Sequence, residues 1–169
     1  MRNLHLLSTA NLIILASLAV LDTIIQTDWE NELACPFFSP TQPAHDIALP
    51  YPARLPLGAA WRGSCQSPGH ELHALTNQDL EACNLGHAHF CPRLPKERSC
   101  DSIRFAVSSN TDGRVALRFV LDAAHHPVGY GLLEYDRVAG AWLSPHPEPR
   151  IQRLADCFLR SYLKRHETA

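Results

Sequence analysis

The sequence predicts a small α+β domain: an antiparallel β-meander with a C-terminal amphipathic helix packed on it, preceded by a proline-rich, cysteine-containing irregular region. Three observations predict it. Apolar residues alternate with a period of two from Ile103 to Tyr135, six prolines crowd residues 36–56, and the final segment repeats its apolar residues at intervals of three and four. The first is the mark of half-buried strands, the second opposes regular structure, and the third builds one apolar stripe on a helix. Strands followed by a helix on one face define the α+β class.

Taken in chain order, residues 1–30 come first and are expected to stand apart from a single domain over 31–169. Leu4 to Ile25 is strongly apolar, with Arg2 in front and Leu12-Ile13-Ile14-Leu15-Ala16 at its densest. About ten uninterrupted apolar residues fall short of the roughly 20 that cross a bilayer. They suit the h-region of a signal peptide, with Ser17-Leu18-Ala19 as small residues for cleavage. An uncleaved anchor over residues 4–25 and a start assigned too far upstream are the other two readings. The choice has chemical weight, because export makes disulfides the default and a cytoplasmic location favours metal or free thiols.

Next comes the proline arm, with Pro36, Pro40, Pro43, Pro50, Pro52 and Pro56. Missing amide donors and fixed torsions argue against a helix or a central strand there. An extended arm wrapping the domain is expected, pinned by Phe37, Phe38, Tyr51, Leu55 and Trp61. A short helix should begin at Thr76, with Asp79 completing a capping box and Gly86 terminating it. Cys83 then falls in its last turn.

Ile103, Phe105 and Val107 open the meander. Val115, Leu117, Phe119 and Leu121 continue it, followed by Val128 to Tyr135 and a short strand around Trp142. Asn110-Thr111-Asp112-Gly113 and Arg137-Val138-Ala139-Gly140 supply turns. In the last segment Ile151, Leu154, Ala155, Phe158, Leu159 and Tyr162 form the apolar stripe. Cys157 falls on the opposite side with Arg153, Arg160 and Lys164, and is expected to face solvent.

Composition excludes some functions. The formal net charge is −2 and there is no run of lysine or arginine, so the electrostatic footprint of a nucleic-acid binder is missing. An enzyme is not the favoured reading. Cys83 with His87 is a poor nucleophile pair, because a helix C-terminus disfavours the thiolate. The histidines of His70-Glu71-Leu72-His73 are one residue too close for the zincin pattern. His125-His126-Pro127 reads as a solvated hairpin turn, and no catalytic residue is assigned.

The cysteines carry the chemistry. Of six, Cys35, Cys65, Cys83 and Cys91 lie where loops or element ends are expected, so four soft ligands can converge on one point. Two are followed by proline (Cys35-Pro36 and Cys91-Pro92), which blocks regular structure beside a ligand. An iron–sulfur cluster is the first choice and zinc the second, with His87 or His89 able to replace one thiolate in a zinc site. Disulfides, Cys83–Cys91 and Cys35–Cys65, are the alternative in an exported or membrane-tethered binding module. The metal reading describes a small accessory protein of redox or structural role with a protein partner. Membrane contact follows only if the leader is an uncleaved anchor.

Cys35-Pro36-Phe37-Phe38, Arg54-Leu55-Pro56-Leu57-Gly58 and Trp61-Arg62-Gly63-Ser64-Cys65 also resemble the motifs of an uncharacterised family of acidobacterial proteins. So do Cys83-Asn84-Leu85-Gly86-His87-Ala88, Cys91-Pro92-Arg93-Leu94-Pro95 and Ser102-Ile103-Arg104-Phe105. The likeness continues through Gly131-Leu132-Leu133-Glu134-Tyr135-Asp136 and Arg150-Ile151-Gln152-Arg153-Leu154-Ala155. It implies no activity. It matches the same four cysteines by position, leaves Cys100 and Cys157 outside the motifs, and makes the apolar leader look like an addition to a cytoplasmic domain.

Overall fold

In the computed structural model, which describes residues 33–49, 55–71, 74–86 and 91–167, the alternating stretch forms a four-stranded antiparallel sheet. The leader, Pro50, Tyr51, Pro52, Arg54, Leu72, His73, His87 and His89 lie outside the described residues. Two strands precede the sheet, β1 (Phe38–Pro43) and β2 (Trp61–Cys65), and a helix α1 (Asn77–Asn84) follows them. The meander is β3 (Ser102–Thr111), β4 (Arg114–Ala123), β5 (His126–Asp136) and β6 (Ala141–Trp142), in that spatial order. Helix α2 (Pro149–Glu167) closes the chain. The described helices include none long and apolar enough to cross a membrane.

The turns explain the register. Thr111 pairs with Arg114, leaving Asp112 and Gly113 as a two-residue loop with φ of 52° and 73°. Two positive φ angles define the turn whose twist matches a hairpin, which is why Asp-Gly suits it. Ala124 and His125 make the next such loop at φ 48° and 65°, and the Ala124 N–H donates to the Asp101 carboxylate at 2.6 Å. At the third turn the Asp136 carboxylate accepts from the N–H groups of Val138 and Ala139.

Ile103, Phe105, Leu117, Phe119 and Leu133 form the sheet's contribution to the core, and α2 supplies Ile151, Leu154, Ala155, Phe158 and Leu159. Phe105 and Phe158 meet with ring centroids 5.7 Å apart. The Trp142 indole N–H donates to Asp156 at 2.7 Å, and Asn110 donates to the Tyr162 hydroxyl. The helix therefore lies on the meander, as its stripe predicts.

Two expectations are corrected. Cys157 does not face solvent: it is 4 % exposed and belongs to the core. The side of α2 away from the meander is covered by the N-terminal arm, where Arg150 stacks over Phe37, Arg160 over Trp61, and Arg165 donates to the Gly58 carbonyl. With cover from two directions the buried stripe widens past the residues that periodicity picks out. The proline arm, for its part, is not wholly irregular. Phe38–Pro43 pairs antiparallel with Trp61–Cys65, with a register break between Pro40 and Gln42. In a two-stranded ribbon each strand is an edge, so a proline costs no second ladder, and the break absorbs the rest. The arm's anchors hold as expected, with Phe37, Phe38, Leu55 and Trp61 all buried.

Candidate metal centre

Cys35, Cys65, Cys83 and Cys91 come from four separate segments and line one cavity of about 520 Å³. The local structure that places each is simple. Cys35-Pro36-Phe37-Phe38 is a turn closed by the Phe38 N–H donating to the Cys35 carbonyl at 3.2 Å. Cys91-Pro92-Arg93-Leu94 repeats it, with Leu94 donating to Cys91 at the same distance. Proline at the second position pre-sets the torsion a tight turn needs, so each cysteine stands at the head of an identical bend. Cys65 ends β2 and Cys83 occupies the last turn of α1.

Five long-range ties gather these segments. The register pairs Phe38 with Cys65, bringing the first bend to the end of β2. The buried Asn84 side chain accepts from the Trp61 N–H at 2.7 Å and donates to the carbonyls of Trp61 and Leu80 at 2.9 and 2.7 Å. That clamps the end of α1 onto the start of β2. Gly86 sits at φ +70°, and a Cβ there would fall 1.6 Å from the Leu33 carbonyl oxygen, so only glycine lets the strand leading to Cys35 pass so close. The Ser67 hydroxyl donates to the Arg93 carbonyl, and the Arg93 guanidinium holds both oxygens of Asp79 at 2.7 and 3.2 Å. Asp79 is also the capping-box residue, accepting from the Thr76 N–H at 2.9 Å while Thr76 accepts from its own N–H, as predicted.

Asn84, Ser67 and Arg93 were not singled out from the sequence. Asn84 carries the largest single task. Asn84→Ala leaves the Trp61 N–H and two carbonyls without their partner in a buried place and is expected to cost about 2–3 kcal/mol. Urea denaturation of the purified variant measures it; a loss below about 0.5 kcal/mol would show that the clamp is dispensable.

The sulfur environments are uneven. Cys35 and Cys65 are buried, while Cys83 and Cys91 are half-buried. The Ser67 N–H donates to Cys65 Sγ at 3.4 Å. Burial pushes the Cys35 thiol up to about 11, with Cys65 and Cys91 adding to the rise. Burial raises the Cys83 thiol further, and the other three sulfurs act in the same direction. Burial and the neighbouring sulfurs thus oppose ionisation of the Cys35 and Cys83 thiols.

All six cysteines are free thiols, and Cys100 and Cys157 lie away from the cavity lining. Among the described residues no group of three or more Cys, His, Asp or Glu side chains is placed to hold a single metal ion. His70 and Glu71 lie at a turn closed by the His70 N–H on the Ser67 carbonyl. Compared with known proteins, the chain matches no family model, no curated protein and no solved structure.

Proposed function

We propose that the chain is a small iron–sulfur protein in which Cys35, Cys65, Cys83 and Cys91 ligate one cluster of the 4Fe–4S type. The observation that carries the reading is the convergence of these four cysteines, from four segments, on a single cavity of about 520 Å³. Zinc is the second choice and fits less well. A single ion bound at about 2.3 Å needs its sulfurs gathered on its own surface, and among the described residues no group is placed to hold one ion. A cluster spreads its ligands over separate irons and so accepts more widely spaced sulfurs. The Ser67 N–H donating to the Cys65 sulfur supports the reading, since such a donor stabilises thiolate and tunes the cluster it holds.

When bound, the cluster supplies one-electron chemistry and a cross-link between the arm and α1. The protein's own residues orient the thiolates and shield them: the two Cys-Pro bends, the Asn84 clamp and the Phe37 and Phe38 side chains that line the cavity. The role is that of an accessory protein working with a protein partner in a reducing cytoplasm, where thiols persist.

The test is anaerobic purification of the full chain, with its visible spectrum, iron, acid-labile sulfide, zinc and free thiols. Broad brown absorbance with iron and sulfide in equal amounts is expected. Colourless protein with one zinc per chain would replace the cluster by zinc. Metal-free protein with its thiols paired would replace both by a disulfide-stapled binding module.

A further inference from the structure

We infer that the Arg93–Asp79 ion pair sets the reduction potential of the centre, so that the centre carries electrons and is more than a staple. This rests on the cluster reading above. Both side chains line the cavity, and the pair is only 19 % and 21 % exposed, so solvent screens it weakly. Arg93 lies two residues after Cys91, with its carbonyl fixed by the Ser67 hydroxyl. Its guanidinium is within electrostatic reach of the Cys91 and Cys65 sulfurs, and the Asp79 carboxylate is within reach of Cys83. One charge of each sign is therefore held against the ligand shell, each masking the other.

A cluster held by four thiolates is a net anion, and reduction adds one more negative charge. A neighbouring cation stabilises the reduced form and raises the potential, and a neighbouring anion lowers it. The electron comes from a low-potential one-electron donor, of the reduced flavin or reduced-cluster class, and leaves to a higher-potential acceptor. No bond forms or breaks, and the charge stays on the iron core between the two transfers.

The two partners make separable predictions. Arg93→Gln uncovers the Asp79 carboxylate and lowers the potential. Asp79→Asn uncovers the guanidinium and raises it. Both break the same ion pair, so a merely structural role would move the two variants the same way. Arg93→Lys keeps the charge and should stay near the parent. The experiment is an anaerobic redox titration of the full chain and these variants, with dithionite and mediators, followed by electron paramagnetic resonance of the reduced cluster. Opposite shifts support the inference. Shifts of one direction, or none, in a protein that holds its cluster overturn it and leave the cluster reading standing. Parent protein without iron and sulfide overturns both. Should Arg93→Gln lose the cluster, Asp79→Asn and Arg93→Lys decide, and an unmoved Asp79→Asn overturns the inference.

Discussion

Serine at Cys35, Cys65, Cys83 or Cys91 is expected to remove the brown absorbance of anaerobically purified protein and to unfold its N-terminal half. Binding free energy at a closed metal site is folding free energy, on the order of 10 kcal/mol for structural zinc, because the unfolded chain offers no preformed site. Losing one ligand forfeits much of that. It also leaves three buried or half-buried thiols around an open cavity. Cys157→Ser is the control: it buries a hydroxyl in the core, at about 1–3 kcal/mol, away from the cavity lining. Spectra and melting curves of the five variants decide. Brown protein with unchanged melting at two of the four positions, or a larger loss at Cys157, would sink the assignment.

Phe158→Ala should cost about 3–5 kcal/mol, the usual toll of an aromatic cavity in a packed core. Its ring lies on Phe105, and α2 is covered by the meander below and the arm above, so the vacated space has little freedom to collapse. Arg160→Ala is the comparison. That guanidinium is exposed but stacks over Trp61 at 5.5 Å, so its removal should cost about 0.5–1 kcal/mol, where a simple solvent-facing side chain would cost less. Equilibrium urea denaturation gives both numbers. A neutral Phe158→Ala would mean that the helix does not rest on the sheet in solution.

Local chemistry was legible in the sequence, and long-range cover was not. Alternation and the Asp112-Gly113 pair announce the meander because strand period and turn torsions are written within a few residues. Thr76 and Asp79 announce α1 for the same reason. The four cysteines could be grouped by their element ends and following prolines, but nothing local says that their segments share one cavity. The bonds that gather them span 23 residues from Asn84 to Trp61, 26 from Ser67 to Arg93 and 14 from Arg93 to Asp79. Cys157 was misplaced on the same ground, since a helical stripe reveals one packed side and a distant arm supplied the second. Phe38–Pro43 was hidden by its prolines, whose missing donors matter little in a two-stranded ribbon with a break at Pro40.

Beside Cys35, Ala34 exchanges both backbone hydrogen bonds with Ile103 on β3, at 2.8 and 3.0 Å. β3 is the outer strand of the meander, so this residue sits as a cap on an edge that would otherwise recruit another chain. Should the proposed cluster hold the Cys35 segment in place, solubility would follow cofactor loading. A chain whose Cys35 segment has come loose bares the β3 edge at Ile103, while β5 already presents Val128, Tyr130 and Leu132 to solvent. Self-association through strand pairing is the expected fate of a chain with the Cys35 segment loose, and monodispersity on size-exclusion chromatography checks it.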